Sequence, residues 1–280
     1  MKRASDYARE ATERCERVLV TVLGNVGPWR EHIYLAGDLA PRYLVGELPE
    51  GVRPHVGTTD VDLVIGLSLT DESVEAYRTL ERNLEDAGFA QSQPSFRWTR
   101  DVDGITVLVE FLCETDQVEE GRIFKPKQGL GANLSAFNVS GALLAARDYL
   151  EIEIEAERLD QGGRSKVGVR VANLLPYVVL KINAFQDRHD QKDAYDLIFC
   201  LRNYRDDPEE TGRELAASPV AADEQVSAAL NLLEQRFADV ANDGPSAYAG
   251  FLAEDEEDRE KLRREAVAVV RRFLAGFRGR

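Results

Sequence analysis

The spacing of apolar residues predicts strands and helices over residues 1–172 and helices alone from residue 173 onward. Alternating or continuous apolar runs predict strands at residues 33–36, 58–65, 95–99, 104–112, 150–155 and 166–171. Apolar positions three or four residues apart predict helices at 6–23, 70–88 and 140–149. The chain is therefore expected to be an α+β protein whose first domain is 1–172.

The remaining residues, 173–280, are expected to form a helical domain. Asn173 is a good N-cap for a first helix, which carries Lys181 and Arg188. A second helix is expected to begin near Lys192. Two further amphipathic helices are predicted at 222–240 and 256–277.

Composition and charge narrow the possible functions. A formal net charge of −15 argues against a general nucleic-acid binder, whose footprint is a basic face. It leaves room for a local basic patch at 122–129 or 164–170, although such a run is more often a solvated loop. No apolar run suits a membrane helix or a signal peptide, so we expect a cytoplasmic protein without membrane contact. The three cysteines have no paired spacing and are expected to be reduced and structural.

Two carboxylates, Asp60 and Asp62, lie two residues apart in the strand predicted at 58–65. Successive strand side chains point to opposite faces, so both acids should share one face and Val61 should lie on the other. Mg²⁺ is usually held by one or two carboxylates together with substrate phosphates. The pattern predicts a divalent-cation site. The alternative is that Asp60 caps a turn and Asp62 lies on a solvated face.

Glu110 and Gly37 are further candidates. Glu110 interrupts the apolar run 104–112, and a carboxylate in a buried strand is costly unless it is paired or bound to a metal. It is therefore a candidate third acid. Gly37 follows the strand at 33–36, where a glycine turn and a helix start allow backbone amides to approach a phosphate. Most such turns only change the direction of the chain.

Charged residues recur at helical spacing between Lys181 and Asp196. Lys181 and Arg188 are seven residues apart and should share one face of a helix. Lys192, Asp193 and Asp196 should lie within one turn of each other on the next helix. The alternative is a lattice of exposed salt bridges, each worth only ~0.5 kcal/mol.

Three stretches together resemble the nucleotidyltransferase superfamily and, within it, the AbiEii-like toxins of toxin–antitoxin and phage-defence systems. They are the strand and glycine turn at 35–38, the run Thr-Thr-Asp-Val-Asp-Leu at 58–63, and Lys181, Arg188 and Lys-Asp-x-x-Asp at 192–196. The resemblance covers about residues 33–203 and leaves the last helices without a motif.

This resemblance implies a nucleotidyltransferase-like mixed β-sheet with flanking helices, followed by a mainly helical C-terminal region that contributes to the site. It implies that Asp60 and Asp62 hold Mg²⁺ or Mn²⁺ and that Glu110 is the third acid. The implied reaction transfers NMP from an NTP to a hydroxyl of an RNA, such as tRNA, or of a protein, and a cognate antitoxin is an implied partner. The implied nucleotide-binding residues are Gly37, Thr59, Lys181, Arg188, Lys192, Asp193 and Asp196.

Asp38 departs from the family pattern. The family usually carries a second glycine, a serine or a threonine after the first glycine, and its hydroxyl or amide meets the phosphate. A carboxylate repels a triphosphate unless an ion, a lysine or an arginine intervenes. A non-catalytic binding protein on the same fold is therefore one alternative. A phosphotransferase that uses the same acids is a second, independent alternative.

Overall fold

Two compact units make up the chain. A computed structural model describes residues 4, 9–24, 26–48, 50–66, 71–125, 134–159 and 162–279. One unit, the sheet unit, consists of Ala8–Ala40 and Gly57–Ala172, and the other, the helical unit, consists of Met1–Tyr7, Pro41–Val56 and Asn173–Arg280. Of the predicted features, residues 6–8, residue 70 and half of the basic stretch, 126–129, lie outside the described residues.

The sheet unit contains a mixed sheet of nine strands among the described residues. The strands are β1 Ile33–Ala36, β2 Asp60–Ile65, β3 Ala90–Gln91, β4 Arg97–Val102, β5 Ile105–Cys113, β6 Ile123–Phe124, β7 Ala136–Asn138, β8 Tyr149–Glu157 and β9 Arg164–Ala172. Their order is β3-β4-β5-β2-β1-β9-β8, with β7 beside β5 and β6 beside β7. The pairs β1–β9, β2–β5 and β5–β7 are parallel, and the other described pairs are antiparallel. The predicted α+β class and mixed sheet are confirmed.

Helix α1, Arg9–Gly24, packs on this sheet against β2, β5, β8 and β9. Its apolar positions at helical spacing are buried, and so are alternate residues of β2 and β5. The buried set comprises Cys15, Val18, Leu19 and Val22 with Val61, Leu63, Val107, Val109 and Phe111. The apolar residues that recur with a period of 3.6 in α1 and of 2 in β2 and β5 therefore form the core between this helix and the sheet.

The helix predicted at 140–149 is wrong. A 3₁₀ turn, Ala142–Ala146, occupies its centre after Gly141, whose φ of +84° lies in the left-handed region. Tyr149 already belongs to β8, where it pairs with Ala172 of β9. The end of the predicted helix instead forms a strand, because it pairs with β9. The spacing of apolar residues within 140–149 gives no information about pairing with a segment that is distant in sequence.

The helical unit contains, in its described part, α2 Pro41–Leu44, α4 Leu174–Arg188, α5 Gln191–Asn203, α6 Pro208–Leu215, α7 Glu224–Arg236, α8 Asp243–Leu252 and α9 Glu256–Phe277, while α3 Asp71–Asp86 belongs to the sheet unit. The N-cap predicted at Asn173 is confirmed, because its side chain accepts a hydrogen bond from the Leu174 amide at 2.8 Å. The expected helical C-terminal region is confirmed, and α6 and α8 are additions to it. No described helix combines the length and apolarity that crossing a membrane requires.

Candidate functional site

The acids of β2 lie on one face, as predicted. Asp60 and Asp62 are half-buried, whereas Val61 and Leu63 are fully buried on the opposite face. Strand β2 runs parallel to β5 with Asp62 opposite Glu110. Residues in register on neighbouring strands project to the same face of a sheet, so all three carboxylates share it. We call this surface the acid face.

Gly37 lies directly against the carboxylate of Asp62. The preceding residue, Ala36, pairs with Asp62 in the antiparallel β1–β2 ladder. Gly37 has a φ of +60°, and a Cβ on it would lie 1.7 Å from Asp62 Oδ2. Only glycine fits such a position without moving its neighbour. The glycine turn and the acidic strand therefore form one local structure.

Hydroxyl groups hold Asp60 in place. The Thr58 hydroxyl accepts a hydrogen bond from the Asp60 amide at 2.9 Å, and the Thr59 hydroxyl donates to Asp60 Oδ1 at 3.1 Å. Thr59, a predicted nucleotide-binding residue, thus contacts an acid of the predicted metal site. Its contact with a nucleotide stays a prediction.

Glu110 has a cationic partner that the sequence analysis did not name. Arg97 Nε, on β4, donates to Glu110 Oε1 at 2.5 Å, and the Glu110 side chain is 15% exposed. The expectation that a carboxylate in this strand must be paired or metal-bound is met by this ion pair. Whether Glu110 also holds a metal stays a prediction.

The acids of β2 affect the ionisation of Cys15, a buried residue of α1. Burial raises the pKa of the Cys15 thiol well above its usual range, and the negative charges of Asp60 and Asp62 raise it further. The Cys15 thiol donates to the Thr58 carbonyl at 3.4 Å. This thiol stays protonated at neutral pH and cannot act as a nucleophile, which agrees with the structural role expected for it.

Five predicted site residues in the helical unit form one ionic network. Lys181 Nζ donates to Asp193 Oδ1 at 3.1 Å and to Asp196 Oδ2 at 2.7 Å. Lys192 Nζ lies 3.2 and 3.1 Å from the two oxygens of Asp196. Arg188 holds Asp193 with two hydrogen bonds, of 2.7 and 2.6 Å. Helices α4 and α5 therefore bring the five residues together, whereas the helical spacing predicted only which residues share a face within each helix.

This network is buried, so the alternative of an exposed salt-bridge lattice is wrong. The side chains of Lys181 and Asp196 are 4% and 0% exposed. Only the Arg188 side chain is largely exposed, at 56%. The same spacing of charges occurs on exposed and buried helices, and the partners that cover α4 and α5 are distant in sequence, which is why the pattern alone could not distinguish them.

His55 is a member of this network that the sequence analysis missed. Its Nε2 lies 2.8 Å from Asp196 Oδ1, and its ring stacks on Tyr195 at 5.2 Å between centroids. A carboxylate only accepts hydrogen bonds, so Nε2 must carry the proton. The amide of the next residue, Val56, donates to the Tyr195 hydroxyl at 3.2 Å. A single histidine in a loop gave no sequence signal for this contact.

The predicted residues thus fall into two groups. The sheet unit holds Gly37, Thr59, Asp60, Asp62 and Glu110, and the helical unit holds Lys181, Arg188, Lys192, Asp193 and Asp196. The side chains of the acid face offer carboxylate oxygens, which suit Mg²⁺ or Mn²⁺ better than softer metals. Among the described residues, however, Asp60, Asp62 and Glu110 do not form a group of three whose ligand atoms all lie within 4.8 Å of one another. Asp60 and Asp62 are only half-buried, so part of each residue is exposed to solvent.

Comparison with known proteins adds no assignment. The chain matches no protein-family model, no curated protein and no solved structure.

Proposed function

We propose that this protein is an Mg²⁺- or Mn²⁺-dependent nucleotidyltransferase that transfers NMP from an NTP to a hydroxyl of an RNA or a protein. The observation that carries the proposal is the contact of Gly37 with Asp62. In this contact a glycine turn lies beside two half-buried carboxylates on one strand face. A glycine turn lets backbone approach a phosphate and carboxylates are ligands of Mg²⁺, which supports the proposal. The three-stretch resemblance to nucleotidyltransferases supports the same function.

The chain's own residues have distinct tasks in this proposal. Asp60 and Asp62 supply oxygen ligands, and the Thr59 hydroxyl fixes the orientation of Asp60. Asp60 and Asp62 would hold a divalent ion, which would supply activation of the attacking hydroxyl and charge neutralisation at the leaving pyrophosphate. The backbone at Gly37 approaches the nucleotide phosphates.

The network of the helical unit serves phosphate binding in this proposal. Arg188, whose side chain is 56% exposed, offers a planar guanidinium to phosphate oxygens. Asp193 and Asp196 hold the ammonium groups of Lys181 and Lys192 in fixed positions. Burying such a network costs desolvation energy that well-packed apolar residues would avoid. A binding role explains the network better than a contribution to stability does.

Labelled nucleotides test the proposal. We expect the full chain, incubated with Mg²⁺, RNA and each α-labelled NTP in turn, to release pyrophosphate and to transfer label to RNA or protein. Asp62→Asn should lose at least about 100-fold in rate, because the negative charge and one of the two oxygens offered to the ion are lost. The control is Asp116→Asn, an exposed acid of the same unit, which should react like the wild type. Full activity in Asp62→Asn would exclude the proposal.

The two alternatives predict different results in these experiments. Release of NDP in place of pyrophosphate would identify a phosphotransferase that uses the same acids. The second alternative, a non-catalytic binding protein, is favoured by Asp38 beside the glycine turn, because its carboxylate repels a triphosphate. Calorimetry with the four Mg²⁺-bound NTPs tests this alternative, since binding to none of the four would favour the non-catalytic binding protein.

The biological setting of a toxin with a cognate antitoxin, in toxin–antitoxin or phage-defence systems, rests on the resemblance alone. A toxin of this kind should arrest growth when it is expressed in bacteria, and the Asp62→Asn variant should not. Equal growth with both variants would remove the toxin role and leave the enzymatic proposal standing.

A further inference from the structure

Arg97 continues the row of charged residues on the acid face. Glu110 of β5 pairs in register with Asp62 on one side and with Arg97 of β4 on the other. Residues in register project to the same face of the sheet. The three side chains therefore form one line, acid, acid and base, across three adjacent strands.

The position of the Arg97 guanidinium is set by two contacts. Its Nε donates to Glu110 Oε1 at 2.5 Å, and its Cζ lies 5.1 Å from the centre of the Phe96 ring. Phe96 is itself buried against Phe137, with 5.1 Å between their ring centroids. The aromatic pair supports the guanidinium from below while 39% of the Arg97 side chain stays exposed.

An ion that bound Glu110 would compete with Arg97 for the same carboxylate. A divalent ion that takes an oxygen of Glu110 withdraws the charge that Arg97 pairs with, and the two cations repel each other. The cation–π contact with Phe96 keeps the guanidinium on this face when its carboxylate is shared. A phosphate group offers the planar donors of arginine two oxygens at once.

We propose that Arg97 is an anion-binding residue of the acid face: it pairs with Glu110 when no ion is bound and takes a phosphate of the substrate when a divalent ion takes Glu110. This inference rests on the proposed function, because it needs the ion and the triphosphate at this site. It adds a substrate-binding residue to the sheet unit.

Calorimetric titrations with MnCl₂ alone and with Mn²⁺ plus inorganic triphosphate test this role without any turnover. Arg97→Met should bind Mn²⁺ alone about threefold more tightly, because the competing cation is gone. It should bind the Mn²⁺–triphosphate complex at least about tenfold more weakly, because the guanidinium donors are lost. Arg97→Lys keeps the positive charge, so both of its affinities should lie between those of the wild type and those of Arg97→Met. A residue that only stabilised the fold would not shift the two affinities in opposite directions.

Two further variants sharpen the test. In a Glu110→Gln background, Arg97→Met should no longer tighten Mn²⁺ binding, since the carboxylate they share is absent. Arg164→Met is the matched control, because Arg164 forms a cross-strand ion pair with Glu155 at 2.8 Å elsewhere in the same sheet. It should bind both probes like the wild type.

The outcomes separate the inference from the proposed function. Unchanged triphosphate binding, or weaker Mn²⁺ binding, in both Arg97→Met and Arg97→Lys would overturn the role of Arg97. If Asp62→Asn binds Mn²⁺ as the wild type does, the metal site itself, and with it the proposed function, is excluded. Loss of Mn²⁺ in Asp62→Asn with no effect of Arg97→Met would overturn this inference alone.

Discussion

Replacing Gly37 by alanine should damage the acid face in a way that an ordinary glycine substitution does not. The φ of +60° at Gly37 costs an L-residue roughly 1–2 kcal/mol. The added Cβ would also lie 1.7 Å from Asp62 Oδ2 and 2.5 Å from its Cγ, so the carboxylate must turn away or the turn must open. A side chain forced about 30° from its rotamer adds about 0.5–1.5 kcal/mol. The expected loss of unfolding free energy is therefore about 1.5–3.5 kcal/mol.

Gly104→Ala isolates the backbone part of this loss. Gly104 has a φ of +80° in the β4–β5 turn, and a Cβ on it would meet no atom within 4 Å. This variant should lose only about 1–2 kcal/mol and should bind Mn²⁺ normally. Gly37→Ala should bind Mn²⁺ at least about tenfold more weakly, because the Asp62 carboxylate is displaced.

Urea unfolding followed by tryptophan fluorescence measures the free energy of unfolding of the sheet unit, to which Gly37 and Gly104 belong. The chain has two tryptophans, Trp29 and Trp98, and both belong to the sheet unit. The signal therefore reports the unit that carries the substitution. Equal stabilities and equal Mn²⁺ affinities in Gly37→Ala and Gly104→Ala would refute the claim that the glycine turn positions Asp62.

Three other substitutions or treatments test separate parts of the structure. Gly276→Ala places a Cβ 2.0 Å from the Glu209 carbonyl oxygen in the α6–α9 crossing, so calorimetry should show a loss of about 1–3 kcal/mol. Lys181→Met leaves buried carboxylates short of a cation and should cost about 3–5 kcal/mol, measured by far-ultraviolet circular dichroism on heating; a loss below about 1 kcal/mol would contradict the buried ion pairs. Burial raises the pKa of Cys15 and Cys200 above the value of 9.0 that free thiols have, so iodoacetamide should label them at about pH 8 only after unfolding. Only the unfolded thiols ionise as the pH rises above 9.0, so the free energy of unfolding should fall above that pH. Rapid labelling of the folded chain at about pH 8 would contradict the raised pKa of the two thiols.

Strand periodicity could predict the arrangement of acids on β2, because it depends only on neighbours in sequence. Alternation alone placed Asp60 and Asp62 on one face, away from Val61. The parallel register that sets Asp62 opposite Glu110 joins segments 48 positions apart, the difference between 110 and 62, and no local pattern encodes it. The acid face was therefore predictable strand by strand, but its assembly was not.

The partner of Glu110 is encoded in a local sequence signal. Asp103 and Gly104, with φ of 52° and 80°, form a two-residue turn of the kind that Asp-Gly favours between two strands. Counting outward from that turn pairs residue 102 with 105 and residue 97 with 110, which is the observed register. The turn rule, applied to the hairpin that the strand pattern predicts, is therefore sufficient to place Arg97 beside Glu110.

The two charged groups of this protein obey different physical limits. On the acid face, Asp60 and Asp62 are half-buried, so solvent lowers the cost of holding like charges together and an ion can still enter. In the helical unit, Lys181 and Asp196 are almost wholly excluded from water, so each charge needs its partner within hydrogen-bond distance. The first group can change its counterion, whereas the second cannot lose a member without leaving a buried charge unpaired. Ligand exchange is therefore expected on the acid face, and fixed positioning is expected in the network of α4 and α5.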